Sequence, residues 1–398
     1  MRRWLEAFEN FAIDVILERR YGKRAFLLRW FLYGLSFLFR AGVQTRLWLY
    51  RHRLLRERPP GCMVISIGNL TVGGTGKTPV VEKFARTLQD EGRKVAILSR
   101  GYKSKKPPLL RRLQRKWYGL ERKKTRVVHD GQRLLLDSSF SGDEPYMLAK
   151  SLKDVIVLVD KDRVRAALHA VREMHCDVLL LDDGMQYLDL RHRLDICLID
   201  AQAPFGNEYL LPRGTLREPP RNLRRASYIF ITKSPAAGNE ALIKRIRQFN
   251  RTADIIECTH RPLYLQHLYL PDDRRPLEFL SGKYIAAISG IARPESFEEK
   301  LTALGAHLEI TKRFADHHRF TVKELEEFTA RCSRRDLDLI VTTEKDSVRF
   351  PARALNQDVP IYYLRVEIEI LTGHESWHSL VNRICHTRPI VAPERFFA

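Results

Sequence analysis

The chain has 398 residues and a formal net charge of +21, from 69 Lys and Arg against 48 Asp and Glu. A hydrophobic content of 44% excludes wholesale disorder, and 21 Gly and 19 Pro without a period exclude collagen-like or low-complexity structure. Six widely spaced cysteines with no CxxC pair argue against a disulfide framework or a zinc site, and the length suffices for two domains with their own cores.

The charge is local. Residues 1–60 hold 13 Lys and Arg against 5 Asp and Glu, and residues 103–126 hold 11 against 1, so the rest of the chain is close to neutral. Such patches attract phosphate-rich partners, either nucleic acid or an anionic membrane surface. In the first patch, Ala25 to Leu55 is rich in Phe, Leu, Trp and Tyr. Arg29, Arg40, Arg46 and Arg51 interrupt it before any uncharged run reaches the roughly 18–20 residues of a spanning helix. At 100° per residue, Arg29, Tyr33, Ser36, Arg40, Gln44 and Arg51 form a polar stripe beside a broad apolar face. That pattern predicts a helix lying in a membrane interface; packing of the apolar face on the protein's own core is the alternative. Acidic residues ahead of the apolar run, and no small-residue cleavage site after it, speak against a secretory signal peptide.

After Pro59-Pro60, buried-strand runs at 63–67, 95–98, 155–159, 178–181, 196–199 and 228–231 alternate with helical periodicity at 79–91 and 163–175. The repetition predicts a mostly parallel, doubly wound sheet covered on both faces. A second alternating block starts near Tyr284, with strands at 285–289, 307–312, 337–342 and 361–364 and helices at 295–304 and 322–331. Between the blocks, 255–280 alternates around the turn Pro271-Asp272-Asp273 and predicts a hairpin. The expected division is 1–60 membrane-associating helices, 61–254 P-loop domain with a basic insertion at 103–126, 255–282 hairpin linker, and 283–398 smaller α/β domain.

The first strand runs into Gly68-Asn69-Leu70-Thr71-Val72-Gly73-Gly74-Thr75-Gly76-Lys77-Thr78-Pro79 and then a helix. In that context it reads as a P-loop: Thr71 through Thr78 bind the nucleotide, Lys77 reaches the outer phosphates, and the Thr78 hydroxyl is placed for Mg²⁺. Thr71 stands where the common pattern has glycine. Leu179-Leu180-Leu181-Asp182-Asp183-Gly184 delivers two carboxylates at the end of a strand, where a Walker-B acid belongs; Asp-Asp-Gly by itself is more often a turn. In Gly142-Asp143-Glu144-Pro145 the carboxylates read equally as helix caps or as a base. The loop Asp316-His317-His318 and the stretch Thr343-Glu344-Lys345-Asp346 read by default as a surface loop and a polar turn.

Taken with Ser99-Arg100-Gly101-Tyr102, Asp182-Asp183-Gly184-Met185-Gln186 and Leu211-Pro212-Arg213-Gly214-Thr215-Leu216-Arg217-Glu218, these blocks in this order resemble the tetraacyldisaccharide 4'-kinase family, the lipid A kinases of Gram-negative bacteria. The resemblance covers about residues 60–346. It implies transfer of the ATP γ-phosphate to the 4'-hydroxyl of an acylated disaccharide 1-phosphate, in a cleft between two α/β/α domains. It also implies an atypical P-loop with threonine at position 71, Asp143 as base assisted by His317, and Asp182 and Asp183 near Mg²⁺. The implied site is at the cytoplasmic face of the inner membrane, reached peripherally or monotopically, with no nucleic acid and no obligate protein partner. Tyr187 and Lys103 depart from the histidine and glycine frequent in the family. Two rival readings remain: a ParA-like P-loop ATPase, disfavoured by Val72 where that class has lysine, and a basic nucleic-acid-binding protein, for which no motif is present.

Overall fold

A computed structural model of the chain describes residues 8, 11–101, 125–351 and 358–386. The basic insertion at 103–126 therefore lies outside the described residues, apart from Thr125 and Arg126.

Helix α1, Lys23–Arg51, precedes the sheet. The first block then runs β1 (Met63–Asn69), α2 (Lys77–Asp90), β2 (Val95–Ser99), β3 (Arg126–Asp130), α3 (Ser138–Ser141), α4 (Asp143–Ser151) and β4 (Ile156–Val159). It continues through α5 (Arg163–Arg172), β5 (Val178–Asp182), β6 (Leu194–Asp200), β7 (Tyr228–Thr232), α6 (Glu240–Phe249), β8 (Asp254–His267) and β9 (Arg274–Arg275). The second block is β10 (Tyr284–Ser289), α7 (Pro294–Ala303), β11 (His307–Arg313), α8 (Val322–Ser333), β12 (Leu339–Thr343), α9 (Glu344–Ser347), β13 (Ile361–Thr372) and α10 (His374–His386).

Both blocks join one sheet in the order β11-β10-β12-β13-β8-β7-β6-β1-β5-β2-β4-β3, with β9 on β8. Pairing is parallel except for β3 with β4, β13 with β8, and β8 with β9. The fold is thus mostly parallel α/β, and its strands are apolar on both sides because helices cover both faces. Along β1, Met63, Ile65 and Ile67 pack under α2, α4 and α10, while Val64 packs under α5. In the second block, Ile285 and Ala287 pack with α7 and Ala286 and Ile288 with α8, the period-two alternation of a strand between two layers.

The stretch expected as a hairpin is more than a linker. The start of β8 extends the parallel sheet beside β7, from Tyr228 opposite Asp254 to Ile231 opposite Glu257. From Glu257 to His267 it runs antiparallel to β13, and the expected turn returns it only as the short β9. Strand β8 thereby splices the two parallel halves. Beside the splice, Arg365 of β13 bridges the buried carboxylates of Glu82 in α2 and Glu344 in α9, tying the helix that follows the glycine-rich loop to the second block.

Helix α1 faces the protein with its polar side. Ser36 is buried, Gln44 donates to Asn222 Oδ1 at 3.5 Å, Arg46 donates to the Gln186 carbonyl at 3.0 Å, and the Tyr50 hydroxyl donates to Asp189. Leu27, Phe31 and Leu38 stand outward at 68%, 63% and 71% exposure. Packing of the apolar face on the protein's own core is therefore not what forms. By length and composition alone, the helix is long and apolar enough to cross a membrane.

Candidate active site

The parallel strands β1 and β5 deliver their carboxyl ends side by side, with Ile67 opposite Asp182. Gly68 lets the two following loops touch: a Cβ there would lie 2.7 Å from the Cβ of Met185 and 2.8 Å from its amide nitrogen. Overpacking of this kind costs about 1–3 kcal/mol. Gly68→Ala is expected to lower the unfolding midpoint accordingly and to weaken ATP binding by moving the loops apart. An unchanged melting curve with unchanged ATP affinity would contradict the contact.

The loop after β1 turns through Gly73 at φ 118° and enters α2 from Gly76 at φ 75°, a left-handed conformation that glycine adopts without a Cβ penalty. The Gly74 carbonyl accepts from Lys233 Nζ at 3.0 Å and the Thr75 carbonyl from Thr232 Oγ1 at 2.8 Å, so both turn toward the end of β7. Lys233 is in turn paired with Asp200 at 2.5 Å. The Val72 amide is taken by the Thr215 carbonyl at 2.7 Å, and Thr71 bridges to Leu216. Thr75 Oγ1 is buried without a hydrogen-bond partner among the described residues, an orphan that a phosphate oxygen suits.

Lys77 lies 3.2 Å from Asn69 Oδ1 and 3.5 Å from Asp183 Oδ1. Arg217 Nη1 reaches both oxygens of Asp183 at 2.8 Å and Gln186 Oε1 at 3.1 Å. Asp183 itself sits at φ 55°. Burial pushes its pKa up, but Lys77 and Arg217 outweigh burial and hold it below the usual carboxylate range. Asp182 behaves in the opposite way: burial first, then the Asp183 charge, raise its pKa to about 6 against the pull of Lys77 and a 3.0 Å bond from Ser99 Oγ. A buried carboxylate this reluctant to ionise alone is a group that a bound cation would satisfy, and the oxygen-only set of Thr78, Asp182 and Asp183 suits Mg²⁺. Among the described residues, no cluster of three or more His, Cys, Asp or Glu side chains forms a metal cage. A P-loop cation differs from a caged one in taking much of its shell from phosphates and water.

Asp143 opens α4, yet its carboxylate bonds to side chains of the second block. His317 Nδ1 lies 3.1 Å from Oδ2, Arg349 Nε donates to Oδ2 at 2.9 Å, and Arg319 Nη2 donates to Oδ1 at 3.2 Å. Asp143 is 7% exposed. Burial raises its pKa, and the contacts it receives from the second block, the Arg349 and Arg319 guanidiniums among them, bring it below the ordinary value. The charge of the neighbouring Glu144 adds to the causes that raise the Asp182 pKa.

Two default readings from the sequence are incomplete. The loop carrying His317 lies at the surface, with Ala315, Asp316 and Arg319 exposed, but it turns the half-buried His317 onto Asp143. In the stretch 343–346, Thr343 and Lys345 are half-buried and Glu344 and Asp346 buried: Thr343 caps α9, and Asp346, fully enclosed, accepts from the Gly290 amide at 2.9 Å and from Arg349 Nη1 at 2.8 Å. Arg349, Arg319 and Arg217 carry no signal in isolation, because each finds its partner across the fold.

A glycine-rich loop between a buried parallel strand and its helix, with two carboxylates on the adjacent strand and a third facing a histidine, defines an α/β nucleotide-dependent phosphotransferase. The comparisons with known proteins give the family. The family model for tetraacyldisaccharide-1-P 4'-kinase matches residues 28–385. A tetraacyldisaccharide 4'-kinase of Anaeromyxobacter dehalogenans is 41% identical over 339 residues, 84% of this chain and 85% of its own. One from Halothermothrix orenii is 33% identical over 393 residues, 94% of this chain and 97% of its own. A crystal structure of LpxK from Aquifex aeolicus in complex with ATP superposes with a TM-score of 0.70 at 28% identity, covering 90% of this chain and all of that one. The chain belongs to the tetraacyldisaccharide-1-P 4'-kinase family.

Proposed function

We propose a division of labour for this chain, which its family makes an ATP-dependent tetraacyldisaccharide 4'-kinase of lipid A biosynthesis. The γ-phosphate of ATP passes to the 4'-hydroxyl of an acylated disaccharide 1-phosphate. Residues 61–254 hold the nucleotide through the loop from Thr71 to Thr78, and residues 283–398 supply His317. The observation that carries the reading is the convergence of Asp143 with His317 and Arg349, in a fold whose glycine-rich loop ends in a Lys77 paired with Asp183.

Lys77 exchanges Asp183 and Asn69 for the outer phosphates, where its charge offsets the charge that develops on the transferring group. Arg217 keeps Asp183 ionised while Lys77 moves. Asp143 accepts the proton of the attacking hydroxyl; its depressed pKa keeps it anionic at neutral pH and able to orient that hydroxyl. Thr78 and Asp182 or Asp183 would hold Mg²⁺, which would supply positive charge against the charge on the phosphates.

The acylated substrate sits in a membrane, and α1 presents its apolar face away from the protein in a segment rich in arginine. This supports docking at the cytoplasmic face of the inner membrane, with the basic residues drawn to anionic lipid. Each exposed large apolar side chain buried in lipid contributes roughly 1.5–3 kcal/mol. The double substitution Phe31→Glu, Leu38→Glu is therefore expected to cut partitioning onto phosphatidylglycerol vesicles about 10²-fold or more in a flotation assay. Unchanged flotation would remove α1 as the docking element.

The reading as a whole is tested by incubating the protein with radiolabelled γ-phosphate ATP, Mg²⁺ and detergent-dispersed tetraacyldisaccharide 1-phosphate. Label is expected in the lipid fraction. Release of inorganic phosphate with none in lipid, from folded protein, would make the chain an ATPase with another partner.

A further inference from the structure

The geometry points to Arg349 as the positioning residue of the Asp143–His317 pair: one fully enclosed guanidinium holds both groups and fixes which imidazole nitrogen carries the proton. The inference rests on the reading of Asp143 as proton acceptor.

Every edge of the guanidinium is engaged. Nε donates to Asp143 Oδ2 at 2.9 Å, Nη2 lies 3.0 Å from His317 Nδ1, and Nη1 donates to Asp346 Oδ1 at 2.8 Å and to the Gly290 carbonyl at 3.0 Å. Arg349 is among the largest fully buried side chains, and Asp346, its anchor, is 0% exposed. The anchor is in turn held by Thr343 Oγ1 at 2.7 Å and the Gly290 amide. A planar fork gripped at one end by a rigid turn has little freedom to relocate, which is what a positioning element requires.

Arginine nitrogens only donate, and arginine does not lose its proton in proteins. His317 Nδ1 therefore presents its lone pair to Nη2, and the neutral ring carries its hydrogen on Nε2. The 3.1 Å approach of Nδ1 to Asp143 Oδ2 is then two acceptors held together by one shared cation. Without Arg349 those lone pairs would repel, and the ring would change tautomer to donate from Nδ1 to the carboxylate. The other charged groups facing this cluster are Arg319 on Asp143, Asp316 at 3.8 Å from His317 Nε2 and 3.9 Å from Arg349 Nη2, and, further out, Lys345, which reaches Asp316 at 3.4 Å and Glu144 at 3.5 Å.

The test uses the full chain with Arg349→Met, Arg349→Lys and Asp346→Asn, alongside Asp143→Asn. Nitrogen NMR of the wild-type protein should show His317 protonated on Nε2, and Arg349→Met should move the proton to Nδ1. The same variant should lose about 10²-fold in kcat with KM for ATP changed less than threefold. The acid limb of its kcat/KM profile should move to higher pH, because the buried carboxylate has lost a cation. Arg349→Lys should restore the limb and leave kcat low, since an ammonium supplies charge without the fork. If Arg349→Met does not fold, Arg349→Lys and Asp346→Asn carry the test, the latter with an expected tenfold loss in kcat. Wild-type His317 protonated on Nδ1 would overturn the proposal. So would Arg349 variants with wild-type kcat and pH profile while Asp143→Asn is inactive. Full activity in Asp143→Asn would instead remove the base reading, and this proposal with it.

Discussion

Asp143→Asn is expected to lower kcat for lipid phosphorylation about 10³-fold, within the range for loss of a general base, while KM for ATP changes less than threefold. The asparagine keeps the shape of the side chain and loses only the charge and the basic oxygen. Arg349 retains Asp346 and the Gly290 carbonyl, so its charge stays paired and the fold should survive. The melting curve discriminates between the readings of this residue. A helix cap contributes about 1 kcal/mol to stability and nothing to turnover. Asp143 bonds to three side chains of the second block, and for that reason the loss should fall on kcat. A variant with a lowered unfolding midpoint and wild-type kcat would restore the cap.

Lys77→Ala is expected to reduce kcat/KM by roughly 10³-fold, through loss of the charge proposed to reach the outer phosphates. Here ATP affinity should fall as well, since a lysine in that role would contact phosphates in ground and transition states alike. The fold has little at stake. Lys77 is partly exposed, and Asp183 keeps both contacts from Arg217 when the lysine is gone. Unchanged melting with near-complete loss of transfer, measured on the same preparation, is the expected pair of results. Loss of less than tenfold would mean that Lys77 does not reach the transferring phosphate.

The strand, glycine-rich loop and helix start proposed to hold the nucleotide were legible because they are contiguous. Strand β1, the glycines, Lys77 and the helix start follow one another without a gap, and an apolar run alone places Asp182 and Asp183 at a strand end. The acceptor side was legible only in part. Asp143 and His317 are 174 positions apart and Asp143 and Arg349 are 206, so no spacing rule connects them. Arg349 lies three residues after Asp346, a distance that reads equally well as a surface helix pair. Its total burial is a property of the tertiary structure.

The fold shows the same division. Continuous apolar runs identified the central strands, but β3, half-buried at the sheet edge, lacks such a run. Helices α6 and α10 were not read from the sequence; α6 buries little beyond Ile246, and α10 buries Trp377, Leu380, Val381 and Ile384 on a single face. For β8, alternating polarity over 255–280 around the turn Pro271-Asp272-Asp273 suggested a hairpin linker. That alternation instead reflects a strand with neighbours on both edges near the junction of two half-sheets.

The most direct measurement of the central claim is the position of the new phosphate, read by phosphorus and proton NMR of the lipid product made with Mg²⁺ and ATP. The account predicts one new phosphomonoester coupled to the proton at carbon 4' of the disaccharide, with the 1-phosphate unchanged. A phosphate on any other oxygen, or a diphosphate at position 1, would contradict it.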